Sequence, residues 1–274
     1  MNPTIMQCAP APVIVYAHSW PESCALEAYI EEAYGTARAV RVCERISTLM
    51  RVLSLTPQSP LILALNPHEH VNLLYALWPW LGQRPILFVS RTFYYTDRQI
   101  PGFFVSKQVA FHCWQRTSER SVKAQPGLLH FLRSAQEPDV LPASTNSAAL
   151  PTYACEADLL VAINRYLLNQ MFTLGVSAKE YEVISLLLLS QQSGASLQGM
   201  MRARNMTSKL LSAHKMSVLN KLGMNAHAVS LWRGLEVKMT LQQGIFTLPA
   251  WCEKGQSIGT ELSMDEPAKG MTTV

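Results

Sequence analysis

From Pro12 to Ser134 the sequence alternates short β-branched or aliphatic runs with longer amphipathic ones, and this alternation limits the possible folds more than any other feature. Val13–Tyr16 is followed by Ser23–Tyr34, Ala39–Val42 by Arg45–Leu55, and Leu61–Leu65 by His70–Leu81. Ile86–Val89 leads into an irregular stretch, and Val109–His112 precedes a last helical segment near Gly127–Ser134. Strands that are apolar throughout, with no polar residue at every second position, are buried on both faces. When helix-length segments separate such strands, they join as parallel βαβ units. The spacing predicts a doubly wound (βα)5 domain over residues 12–135. Pro21 opens a helix, Gly35 and Gly82 close two others, and Pro60 and Pro85 precede strands.

The alternation then stops. Gln136–Tyr153 carries three prolines among small polar residues and reads as a linker. Residues 154–240 show helical periodicity without a convincing strand, beginning with Leu159, Leu160, Ile163, Leu167 and Met171 on one side of a helix over Glu156–Met171. Residues 241–274, rich in Gly, Thr and Ser, are expected to form a flexible tail in which Ile245, Phe246 and Trp251 are candidates for docking. There is no internal repeat.

Hydrophobic residues make up 49% of the 274 and charged residues 15%, enough apolar side chain for real cores and too little charge for a disordered chain. Apolar stretches such as Ile62–Leu65 and Ile184–Leu189 fall far short of the ~20 residues that cross a bilayer. The segment Met1–Pro12 lacks Lys, Arg and an apolar core, so no secretory signal is expected and the cytoplasm of a bacterial cell is the expected location. The six cysteines are widely separated, without Cys-x-x-Cys or zinc-ligand spacing, and are expected to be free thiols. Hydrolase, nucleotide and dinucleotide motifs are missing from the sequence, and neither an enzyme nor a cofactor is expected.

Charge is unevenly placed. Between Val176 and Thr240 eight Lys and Arg face three acids, an excess of five in a chain whose net charge is +4. A module that binds nucleic acid has such a distribution. Within it, Ser177 and Glu180 form a capping box at a helix start, a second short helix begins at Ser196, and Met206-Thr207-Ser208 caps a third. The third helix, Ser208–Leu222, ends at Gly223, the residue type that closes helices in the left-handed conformation. Its spacing turns Leu211, His214, Val218 and Leu222 inward and Lys209, Ser212, Ala213, Met216 and Asn220 outward. An outward face of short polar side chains without acids suits a helix that reads the major groove.

These residues resemble the LuxR/FixJ-type helix-turn-helix family. The resemblance rests on Val176–Ile184, Gly194–Met201, Thr207–His214 and Lys221–Met224. Three positions depart from the family pattern: Gly199 stands where it has Glu, Arg204 where it has Leu and Leu210 where it has Thr. About four extra residues also lie between Ser190 and Gly194, which would lengthen the first helix. The phrase Ala213-His214-Lys215 after a receiver-like domain is most similar to the RcsA/BglJ/YjjQ group. The resemblance implies an all-α DNA-binding domain in which Lys209, Ser212, Ala213 and Met216 meet base edges while His214, Lys215 and Lys221 hold phosphates. It also implies dimer contacts through Ala226–Val237, anchored by Trp232, with a second copy or an RcsB-like response regulator as partner and double-stranded DNA as target.

A phosphate-receiving domain needs a carboxylate pair after its first strand, to hold Mg²⁺, and a nucleophilic Asp after its third. Those places read Ala17-His18-Ser19 and Leu65-Asn66-Pro67, so Asn66 is a degenerate phosphoacceptor position and the domain is expected to be a pseudo-receiver. His68 and His70 lack a third ligand nearby, and no metal is expected. Thr92–Tyr95, Trp78 and Trp80 serve equally as interface anchors or as core. Two other functions stay open: a co-regulator that reaches DNA only through its partner, and a ligand-sensing α/β domain fused to a DNA binder.

Overall fold

The computed structural model describes residues 11–34, 39–82, 84–105, 109–114, 130–131, 152–194, 196–224 and 228–247. The N-terminal lobe is a five-stranded parallel sheet of order β2-β1-β3-β4-β5, built from β1 (Val13–Ala17), β2 (Val40–Cys43), β3 (Leu61–Ala64), β4 (Ile86–Ser90) and β5 (Ala110–Cys113). Val15 pairs with Val42 on one side and Ile62 on the other, Leu63 with Phe88, and Val89 with His112.

Alternate residues of the central strands β1, β3 and β4 serve two cores, which is why these runs are apolar. Val13, Val15, Ala17, Ile62, Ala64, Leu87 and Val89 pack against Leu26, Tyr29 and Ile30 of α1 (Trp20–Tyr34) and against Phe131. Ile14, Tyr16, Leu61, Leu63 and Phe88 face the opposite way, onto Leu49 and Leu53 of α2 (Ile46–Leu55) and Leu74 and Leu77 of α3 (Val71–Leu81). Of the helix expected over 127–134, only His130 and Phe131 are among the described residues. The stretch read as irregular contains two short helices, α4 (Tyr95–Gln99) and α5 (Pro101–Phe104). The aromatics around it pack inward: Tyr95 is buried, and Phe93 meets Phe111 edge to face at 5.1 Å.

The C-terminal lobe is helical: α6 (Glu156–Thr173), α7 (Ala178–Ser193), α8 (Leu197–Ala203), α9 (Ser208–Lys221) and α10 (Ala228–Gly234). The extra residues after Ser190 extend α7 by a turn, and Gly194 ends it in the left-handed region at φ 64°. Gly223 does the same after α9 at φ 63°.

The lobes share one hydrophobic core. Leu159, Leu160, Ile163 and Leu167 of α6 lie in the cluster that holds Tyr75, Tyr95, Ile100 and Phe104. Tyr95 Oη donates to Leu167 O at 2.6 Å, Asn72 Nδ2 to Glu156 Oε1 at 2.9 Å, and Tyr153 N to Tyr75 Oη at 3.0 Å. Gly102 makes room for α6, since a Cβ there would lie 2.7 Å from Tyr166 Oη. The first residues of the segment read as a tail, 241–247, also lie on the N-terminal lobe, with Phe246 stacked on Tyr75 at 5.7 Å. Residues 248–274, with Trp251, lie outside the described residues, as do 136–151 of the linker.

Candidate functional site

The outward face of α9 follows from how its other face is held. Thr207 caps the helix by accepting from Leu210 N at 3.3 Å. Leu211, Val218, Leu219 and Leu222 are buried, and α9 packs along α7. Lys209, Ser212, Ala213, Met216 and Asn220 are then exposed, while His214 and Lys215 are half-buried at the edge of that face. The short helix α8 enters α9 through a turn in which Asn205 takes φ 51°, a left-handed conformation that Asn tolerates better than most residues. Burial on the N-terminal lobe does not reach this face, so the sequence-expected reading side chains lie open in the docked chain.

Lys221 is placed differently from its neighbours. Its ammonium donates to both oxygens of Glu180, at 2.8 and 2.7 Å, and to Gly175 O at 2.8 Å. Glu180 also accepts from Ser177 N at 2.7 Å and Ser217 Oγ at 2.6 Å. Lys221, then Ser177 N, then Ser217 stabilise the ionised form and hold the Glu180 carboxyl down at about 2. The capping box is visible in the sequence, but the long-range lysine that completes it is not.

Trp232, expected at a dimer contact, is half-buried under the Lys238 ammonium, 2.8 Å from the ring centroid. Desolvation lowers Lys238 to about 8, with Glu236 opposing the shift. Helix α10 packs on α4: Arg233 pairs with Glu69 at 3.1 Å, Thr96 Oγ1 donates to Arg233 O at 3.3 Å, and a Cβ on Gly234 would lie 3.1 Å from Tyr94 Cβ.

At the carboxyl edge of the sheet, Asn66 is half-buried beyond β3, and its carbonyl accepts from His70 Nδ1 at 3.0 Å. The buried carboxylate of this corner is Asp97, on α4 and not after a strand. It accepts from His68 N at 2.9 Å, His68 Nδ1 at 2.7 Å and Tyr94 N at 2.9 Å, fastening the Pro67–Glu69 turn to α4. His68 and His70 diverge, the first toward Asp97 and the second stacked on His18 at 5.0 Å. The C-terminal segment closes over the same turn. Gln242 accepts from Val71 N at 3.1 Å and donates to His68 O at 2.8 Å, and Gln243 N donates to Glu69 O at 2.7 Å. The bonds that fasten Asp97, Gln242 and Gln243 to the Pro67–Glu69 turn carry no signal in the sequence, because they span 29 to 174 residues.

No protein-family model matches the chain, and no curated protein matches it. A solved structure of the two-component response regulator RcsB in complex with DNA is similar at a TM-score of 0.51 and 15% identity, covering 82% of this chain and 98% of that one. The response regulator StyR aligns at a TM-score of 0.31 and 13% identity over 81% of this chain and 97% of that one. Full-length FixJ from B. japonicum aligns at 0.31 and 12% identity over 82% and 96%. With its five-stranded parallel sheet covered on both faces, the chain has the fold of a response regulator with a receiver-like α/β domain.

Proposed function

We propose that this chain is a transcriptional regulator that reads DNA through α9 and works without aspartyl phosphorylation. The observation that carries the reading is the acid-free, exposed face of Lys209, Ser212, Ala213 and Met216 on a helix whose opposite face is packed on α7. These side chains meet base edges, and the half-buried His214 and Lys215 hold phosphates. Lys221 serves the fold, since its ammonium is committed to Glu180. The response regulator RcsB, solved in complex with DNA, has a similar fold and supports a DNA-binding reading. The N-terminal lobe acts as a pseudo-receiver of the RcsA/BglJ/YjjQ kind. Asn66 offers a neutral amide that cannot form an acyl phosphate, and His18 and Ser19 supply no anionic oxygens.

Two reading helices one DNA turn apart require a dimer, of this chain or with an RcsB-like response regulator. Trp232, half-buried under Lys238, would enter that contact with the rest of its surface. A specific observation favours a second reading, a co-regulator carried to DNA by its partner: Leu210 and Met216 expose apolar surface at the α9 face, and base contacts and protein contacts both make use of such side chains.

Genome-wide crosslinking of the tagged protein in its own host, beside a Lys209→Glu/Lys215→Glu double variant, separates the two. Discrete peaks that vanish in the variant establish sequence reading by this chain. Peaks that survive mean the partner does the reading, and an absence of peaks overturns DNA binding.

A further inference from the structure

The exposed face of α9 is short of the groups that form paired hydrogen bonds with bases. Such contacts use Arg or Lys on guanine and Asn or Gln on adenine. Residues 208–221 contain no Arg, Gln, Asp or Glu, and their one amide, Asn220, stands in the last turn. A reading helix brings its N-terminal turns to the bases, so Asn220 lies at the wrong end. Ser217 is occupied as well, its Oγ donating to Glu180 at 2.6 Å. Between Ser208 and Val218 the exposed side chains are Ser208, Lys209, Leu210, Ser212, Ala213 and Met216, half of them apolar.

The apolar three are placed together. Leu210 and Met216 are each 45% exposed, and at about 100° per residue they fall, with Ala213 between them, within about 120° of arc. Leu210 N donates to Oγ1 of the cap Thr207 at 3.3 Å, which fixes Leu210 in the first turn. The single methyl of Ala213 lets a groove floor approach the helix backbone, and the unbranched Met216 adapts to an uneven surface. Lys209 lies on the same arc and interrupts the apolar groups, so they do not form the continuous patch that a protein partner would cover. The absence of acids from the helix favours a polyanion. In the major groove the apolar feature that distinguishes one base from the others is the C5-methyl of thymine.

We propose that α9 selects its sites through thymine methyl groups, with Leu210, Ala213 and Met216 in contact with the C5-methyls of a thymine-containing half-site. This rests on the DNA reading proposed for α9 and specifies the base that the face selects.

The test uses the full chain to select from two pools of random duplex DNA that are identical except that one carries uracil for thymine throughout. Uracil lacks the C5-methyl and keeps every hydrogen-bonding group. The thymine pool is expected to yield a motif with thymines at fixed positions, and the uracil pool to fail to yield it. In the selected duplex, uracil at one such position is expected to weaken binding about fourfold, the scale for one methyl removed from contact. Leu210→Ser and Met216→Ser, both at exposed positions, are each expected to erase that loss at one thymine with the melting temperature unchanged. A motif without thymine, a motif recovered equally from both pools, or thymines that tolerate uracil would overturn the methyl reading and leave DNA binding standing. Those are the results expected if Leu210 and Met216 serve a protein partner. Enrichment of no sequence from either pool overturns DNA reading by this chain, and the methyl reading with it.

Discussion

Lys221, in the last turn of α9, reaches across to Glu180 at the third position of α7 and donates to both of its carboxylate oxygens. The pair ties the end of α9 to the start of α7, on which α9 packs. The carboxylate also caps α7 through Ser177, so removing it leaves a cation and a helix start unsatisfied together. Glu180→Gln is expected to destabilise the protein by ~1.5–3 kcal/mol, the range for hydrogen bonds to charged groups, measured by urea unfolding at pH 7. The carboxyl is lowered from 4.5 to about 2 on folding. Its contribution is therefore complete above pH 4.5 and is lost as the pH falls through about 2. Wild type and Glu180→Gln should converge in stability over that window, and a gap that stays constant would refute the assignment.

The same geometry separates lysines that look alike in the sequence. Lys215 lies at the edge of the open α9 face, whereas the Lys221 ammonium, still partly exposed, is paired with Glu180. A lysine that neutralises one phosphate contributes about one unit to the slope of log affinity against log salt. Lys215→Ala is expected to reduce that slope by about one. Lys221→Met should lower the melting temperature and leave the slope unchanged. A reduced slope for Lys221→Met would return that residue to the interface.

Much of the N-terminal lobe was legible because its central strands β1, β3 and β4 are buried on both faces. A run such as Leu61–Leu65 admits few readings once helices flank it, and each of the five strands lies within a residue or two of where its apolar run stands. The lengthened α7 was legible too, as residues inserted before a glycine. Helices α4 and α5 were not, since five and four residues are too few to show a period. The seam between the lobes was equally hidden. It depends on pairs such as Glu69 with Arg233 and His68 with Gln242, which no local pattern announces. At α9, periodicity told which side chains face outward, but which lysine the fold keeps for itself depended on Glu180, 41 residues away.

Gly234 gives access to the seam. A Cβ there would crowd Tyr94 at 3.1 Å and press on the Met224 methyl, while Arg233 beside it holds Glu69. Gly234→Val is expected to loosen the docking of α10 on α4 at a cost of ~1–3 kcal/mol, as overpacking does. The radius of gyration in small-angle scattering should rise and thermal unfolding should broaden or split. An unchanged radius together with an unchanged melting curve would show that the seam adjusts around the new side chain.

The carboxyl edge of the sheet predicts how the chain responds to a phosphodonor. Asn66 cannot be an acyl-phosphate nucleophile, and His18 and Ser19 place no carboxylate beside it. Incubation with acetyl phosphate and Mg²⁺ should leave the intact mass unchanged. Asn66→Asp alone should leave it unchanged as well, because the new carboxylate would still lack the acidic pair that holds the metal, and the Pro67–Glu69 turn beside it is held by Asp97 and Gln242. A mass gain of one phosphoryl group on the wild-type chain would place a phosphoacceptor elsewhere, and a gain confined to Asn66→Asp would show that one carboxylate suffices in this corner.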